Sequence, residues 1–237
     1  MRTLGLGLGL SRHGGLGSAA PSDMASYDMT LGLGTGYTTS GGVIDRWINQ
    51  GSLGVSADAI PPSAGDSPVV GNLVSDGSVA AFFTNLEEWF EANALSGLVD
   101  NAATTKIEVD IVVEVSNIAA QQVFFIWSDS ASNNGYLWVG TNGFGDLRIL
   151  RRDPAGTQKN VDSASVLSQD TKHAITVSFN AGLVDAWVDG LQVLTAADYV
   201  GTTGNLATNQ FAIGARKLIN ASLGTEGFIQ KLAVRSL

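Results

Sequence analysis

The chain has no cysteine, so neither disulfides nor thiolate metal sites are open to it. At 237 residues it is long enough to hold itself together by a buried core alone. It has only two histidines, His13 and His173. Neither has a serine, aspartate or cysteine partner at a recognised spacing, so triad and zinc chemistry are not expected. Basic residues are scarce: 13 Lys and Arg against 22 Asp and Glu give a formal charge of −9. That balance supplies no basic face for nucleic acid and favours solubility. Nor is there an apolar run long enough to span a bilayer. The first candidate, residues 3–10, has glycine at every second position and reads poorly as the helical core of a signal peptide.

What the chain does have is glycine (29 residues) and alternation. In 172–190, Ile175, Val177 and Phe179 alternate with Thr176 and Ser178. Asn180-Ala181-Gly182 then turns the chain into Val184, Ala186 and Val188, and Asp189-Gly190 turns it again. Residues 106–116 form the cleanest strand: Ile107, Val109, Ile111, Val113 and Val115 share one face, and Glu108, Asp110, Val112 and Glu114 the other. Further strands are expected at 123–127, 136–140, 146–151 and 161–166. Segment 84–98 fits either a helix or a short strand at Trp89-Phe90-Glu91, and the strand is preferred. Many short strands between Gly/Asn/Asp turns predict an all-β fold of two antiparallel sheets packed as a sandwich.

The hairpin His173-x-Ile175-x-Val177-x-Phe179 with Val184-x-Ala186-Trp187-Val188-Asp189-Gly190 resembles the penultimate hairpin of laminin-G-like jelly rolls of the concanavalin A type. Phe211-Ala212-Ile213-Gly214-Ala215 and Gly227-Phe228-Ile229-Gln230-Lys231-Leu232-Ala233-Val234 resemble that family's closing strands. The stretch from Val43 through Trp47, Asp58 and Phe83 is similar to the opening of phage-encoded members. The resemblance spans residues 43–237 and implies one jelly-roll domain there. Residues 1–42 read as an extended arm and linker. Leu4, Leu6, Leu8 and Leu10 alternate with glycine, and Thr30-Leu31-Gly32-Leu33-Gly34 repeats the pattern. Such a ribbon cannot build a core by itself, so the six leucines are expected to anchor the chain as a strand added to a neighbouring subunit. Gly-Leu repeats of this kind also resemble the N-termini of structural proteins in tailed-phage particles.

Candidate chemistry is thin. Glu108-Val109-Asp110-Ile111-Val112-Val113-Glu114 resembles the single-strand acidic motif of jelly-roll β-glucan hydrolases, but with its second glutamate displaced. Six residues of strand put Glu108 and Glu114 roughly 20 Å apart, against about 5 Å for a retaining pair. An enzyme is therefore not expected. Some laminin-G-like domains hold calcium at the rim, which implies Asp129, Asn133 and Asn134 as possible ligands and calcium as the one possible cofactor. Sugars dock on aromatic faces rimmed by polar groups, which points to Tyr136, Trp138 and Trp187 as glycan-binding candidates. Arg148, Arg151 and Arg152 read as a solvated basic edge. The expectation is a non-enzymatic virion protein: a capsid decoration, a head spike or fibre, or a tail part. It would be anchored to other virion proteins and copies of itself and display its jelly roll outward, with host-surface glycan as the expected target outside the particle. The alternatives are a secreted, calcium-dependent glycan-binding module and a β-glucan hydrolase.

Overall fold

The computed structural model describes residues 23–84, 87–217 and 222–237. Leu4, Leu6, Leu8 and Leu10 lie outside the described residues. In chain order the strands are β1 (Asp23–Asp28), β2 (Tyr37–Ser40), β3 (Val43–Trp47), β4 (Val69–Asn72), β5 (Val79–Phe83) and β6 (Phe90–Glu91). The middle of the chain supplies β7 (Lys106–Val115), β8 (Gln121–Ser128), β9 (Tyr136–Asn142), β10 (Asp146–Arg152), β11 (Gln158–Ser165) and β12 (Lys172–Asn180). The remainder supplies β13 (Leu183–Val188), β14 (Leu191–Asp198), β15 (Gln210–Ile213), β16 (Ala215–Lys217), β17 (Ser222–Gly224) and β18 (Gly227–Ser236).

Two sheets form the expected jelly-roll sandwich. The larger runs β14-β13-β12-β7-β18-β5-β4-β3-β2, and the smaller β11-β10-β9-β8-β15-β6, each strand antiparallel to its neighbours. Strand β18 is long enough to pair on one side with β7 and on the other with β5 and then β1. The two closing strands lie in different sheets, β15 in the smaller and β18 in the larger.

The alternation of β7 plays out as read: Ile107, Val109, Ile111, Val113 and Val115 turn inward, with Ile175, Val177 and Phe179 of β12 and Leu232 and Val234 of β18 beside them. Facing them are Phe125, Trp127, Leu137, Val139, Ile149 and Phe211 of the smaller sheet. Trp127 meets Phe211 at 4.9 Å, Phe125 at 5.5 Å and, from the opposite sheet, Phe179 at 6.2 Å. Its indole N–H donates to the Leu95 carbonyl at 2.8 Å, so the ring is buried without an orphan polar atom.

Three expectations need correcting or resolving. The sandwich does not begin at Val43. Residues 23–28, assigned to the linker, form β1 on β18, burying Ala25 and Tyr27, with the Tyr27 hydroxyl donating to the Ala57 carbonyl. The second Leu-Gly copy is no extended strand either. Asp28 accepts from the Thr30 N–H and hydroxyl, bending Met29–Leu31 into a 3-10 turn that leaves Leu31 and Leu33 exposed. Segment 84–98 resolves as the short strand Phe90–Glu91 followed by a 3-10 turn at Asn93–Leu95.

The turn between β12 and β13 places both Ala181 (φ 49°) and Gly182 (φ 87°) in the left-handed region. Glycine adopts that backbone freely and alanine does not. Ala181→Asn, which tolerates the region, is expected to stabilise the protein by roughly 0.5–1 kcal/mol. A lower calorimetric Tm for this variant would contradict the turn geometry.

Candidate ligand-binding surfaces

Because each strand gives alternate residues to the interior, the leftover residues define the two outer faces. On the smaller sheet, Ile126, Trp138 and Leu150 lie in one cross-strand row, with Ala212 beside Ile126. Trp89 packs against this row, and its indole N–H donates at 3.2 Å to Glu91, which also accepts from Gln210 at 2.7 Å. Trp138 is fully buried and Tyr136 nearly so. Neither offers an aromatic face to a sugar, contrary to expectation. The continuous apolar runs in β8 and β9 mark strands buried on both faces.

The three arginines do not form a solvated edge. Arg151 is 1% exposed and points into one end of the sandwich. There it donates to the carbonyls of Val99 and Gly204 and to the Thr203 hydroxyl, tying loops 95–105 and 199–209 together. Burial pushes its guanidinium below its ordinary pKa. Arg148 makes a two-pronged pair with Asp162 at 2.7 and 2.8 Å. Arg152 meets no such partner.

The calcium candidates serve as turn residues. Asp129 accepts from the Ala131 N–H at 3.0 Å, and the Asn134 amide donates to the Pro154 carbonyl at 3.4 Å; Asn133 is exposed in the same loop. Among the described residues no three His, Asp or Glu side chains form a metal-ligand set. His173 has the acidic partner that the sequence spacing did not reveal. Its Nδ1 lies 2.7 Å from Asp189, and its Nε2 accepts from the Ser168 N–H at 3.0 Å. With both nitrogens engaged, the ring fastens two loops and has no lone pair free to act as a base.

The outer face of the larger sheet is chemically richer. Trp187, half-buried, lies across from Thr176 of β12, which lies across from Asp110 of β7. The Thr176 hydroxyl donates to Asp110 at 2.5 Å, and Arg235 of β18 bonds Asp110 at 2.5 Å, Glu108 at 2.7 Å and Asp23 of β1 at 3.1 Å. Burial acts against the Arg235 charge, but the three carboxylates outweigh it and hold the guanidinium above its ordinary pKa. On the other side of Trp187 stand Gln192 and Asp185, hydrogen-bonded at 3.2 Å. The result is an aromatic ring set in a strip of fixed donors and acceptors that crosses five strands, about 19 Å at the usual strand spacing. Arg235, which completes the strip, drew no notice in the sequence; its only signal is its place on the outer face of the last strand. Phe144 is more exposed than Trp187 but stands alone at a hairpin tip between Gly143 and Gly145. A shallow cleft of about 310 Å³ near Ser40, Asp45 and Ser63 brings together no comparable set of groups.

Glu114, the last residue of the acidic stretch, is fully buried. It accepts from the Val74 and Ser75 N–H groups and the Ser75 hydroxyl, which fastens loop 73–78 over the sheet. Among the described residues no helix is long and apolar enough to cross a membrane.

No protein-family model and no curated protein matches this chain. Among solved structures, it is similar to domain 4 of AbnA, an extracellular GH43 arabinanase from Geobacillus stearothermophilus, in complex with arabinotriose. The TM-score is 0.59 at 12% identity, over 92% of this chain and 94% of that one. It is also similar to the binding domain of botulinum neurotoxin serotype D, with a TM-score of 0.56 at 10% identity, over 91% of this chain and 47% of that one. At such identities the likeness establishes the shared β-sandwich fold.

Asp76, in the loop fastened by Glu114, bonds Lys172 at 2.8 Å. The Lys172 ammonium, helped by the Ser78 hydroxyl, holds the Asp76 carboxyl down to about 2. Because this folded-state value lies below that of the unfolded chain, the stabilisation is present above pH ~4 and lost as pH falls toward ~2. The pair is largely exposed, so Lys172→Met is expected to cost only about 0.2–1 kcal/mol at pH 7. In urea titrations the deficit should fade below pH 4; a deficit that persists at pH 2 would exclude the ion pair as its cause.

Proposed function

We propose that the protein is a non-enzymatic glycan-binding β-sandwich, carried on a virion as an accessory structural protein through its N-terminal Leu-Gly arm. The observation that carries the glycan reading is the strip of Trp187, Thr176, Asp110 and Arg235 on the outer face of the larger sheet. A sugar ring has an apolar face for the indole and hydroxyls for the flanking carboxylates, amide and guanidinium. These groups are held by one another and by the sheet, so little side-chain order is lost on binding. The arabinotriose held by the similar arabinanase domain supports a saccharide as the ligand class.

The non-enzymatic part of the reading is supported by how the acids are used. Glu108 and Asp110 share Arg235, and Glu114 is locked beneath loop 73–78, so the acidic stretch of β7 offers no free pair for acid-base work. The virion part rests on the sequence: Leu4, Leu6, Leu8 and Leu10 belong to a ribbon with no core of its own, and Leu31 and Leu33 continue the pattern on the exposed side of the following turn. Other virion proteins and further copies of this chain are the partners that fit such an arm.

On a glycan array, Trp187→Ala is expected to lose about tenfold or more in affinity while keeping the wild-type far-UV spectrum. Unchanged binding would refute the site. Deletion of residues 1–22, which spares β1, is expected to abolish incorporation into particles and leave glycan binding intact. Normal incorporation of the truncated chain would refute the anchoring role.

A further inference from the structure

Five arginines have described side chains, and four have partners. Arg46 pairs with Asp58, Arg148 with Asp162 and Arg235 with three carboxylates, while Arg151 is surrounded by carbonyls. Arg152 has none, and its Nε is buried without an acceptor. Leaving a buried donor unpaired is costly, because its lost hydration is not replaced. In a chain with a net charge of −9, an unpaired guanidinium also runs against the overall electrostatics.

Arg152 closes β10 on the outer face of the smaller sheet, across from Tyr136 on one side and Gln158 on the other. The turn that follows contains the carboxylate next in sequence, Asp153, which is committed elsewhere. Its oxygens accept from the Thr157 and Gly204 N–H groups at 2.8 Å each. In the same turn Gly156 has φ 91°, and a Cβ placed there would sit in ordinary van der Waals contact with its neighbours. The three nearest atoms to that point are Asn134 Nδ2 at 3.5 Å, Arg152 Nη2 at 3.7 Å and Arg152 Nε at 3.9 Å. All three are hydrogen-bond donors.

We infer that Arg152 and Asn134 form an oxyanion site that takes a carboxylate. The Nε and Nη2 edge of a guanidinium is the fork that holds both oxygens of a carboxylate, and the Asn134 amide adds a third donor from the side. A single guanidinium balances one negative charge, which fits a carboxylate better than a phosphate dianion. Reaching the shielded Nε requires the turn at Gly156 to lift, a motion its glycine backbone permits. The carboxylate belongs either to an acidic sugar such as a uronate or to a free organic acid. The site lies on a different sheet from Trp187 and stands independently of the glycan reading made there.

The test is a titration of the full chain with glucuronate, glucose, acetate and inorganic phosphate, followed through the Arg152 Nε–H resonance and by calorimetry. Glucuronate is expected to shift that resonance, and glucose to leave it unmoved. Arg152→Gln and Arg152→Lys should each weaken glucuronate binding about tenfold or more, since neither presents the fork. Acetate binding as tightly as glucuronate would support the site and assign it to free acids; weaker acetate binding would support it and assign the acidic sugar. Phosphate binding more tightly than glucuronate, or a resonance that no carboxylate moves, would overturn the proposal. Loss of array binding in Trp187→Ala with the Nε–H response intact separates this site from the one on the larger sheet. The resonance of the unmutated chain decides the matter even if the Arg152 variants fail to fold.

Discussion

The two sheets close on Trp127. Phe125 and Phe211 touch it from its own sheet and Phe179 from the other, and its one polar atom is satisfied by Leu95. Around that contact every strand of the larger sheet must turn alternate residues inward, and this requirement assigns the rest. Ala186 and Val188 go in, so Trp187 goes out; Val109 and Ile111 go in, so Glu108 and Asp110 go out to meet Arg235. A slip of one residue in β13 would bury the ring and expose the valines. The outer strip is thus a by-product of how the core packs, and its registry is as secure as the core itself.

With no cysteine to close the loops, buried polar side chains do it at both ends. Arg151 gathers loops 95–105 and 199–209 by donating to their carbonyls. At the other end Glu114 accepts from loop 73–78, and His173 spans Ser168 and Asp189. Each side chain is buried with its hydrogen-bonding groups met by backbone or a neighbour, the condition under which burying a polar group is tolerable. The long-range hydrogen bonds substitute for covalent staples, and each is lost whole if its one side chain is removed.

Much of this fold was legible because period-two alternation is a local signal. The strand β7 and the β12–β13 hairpin could be placed from their own residues. What lay beyond reach was pairing. Residues 23–28 look like linker because Ala25 and Tyr27 show their inward parity only once β18 lies beside them. In β8 and β9 the apolar residues run consecutively, so nothing local told which face Trp138 would take or that Trp89 would pack onto it. Arg151 and Arg152 are neighbours in sequence and of one chemical type, yet strand parity sends the first into the sandwich end and the second to the outer face. His173 and Asp189 are sixteen residues apart, joined only when the hairpin folds back. At Trp187 the alternation was unambiguous, and the ring takes the outward position it implies.

Parity also makes the two outer faces electrostatically unlike. Beside Trp187 three carboxylates share one guanidinium, and Asp185 adds a fourth acid nearby. An anionic sugar approaching that strip would lose more to repulsion than Arg235, its charge already shared by three carboxylates, could return. A neutral saccharide meets no such barrier and finds acceptors for its hydroxyls. At the end of the smaller sheet the balance reverses: the guanidinium of Arg152 has no partner, and the nearest atoms to a Cβ placed at Gly156 are donors. The same charge that the first face excludes is the one the second lacks. If both proposed sites bind, this acidic chain would separate ligands by charge through the placement of two arginines, one paired with three carboxylates and one left open.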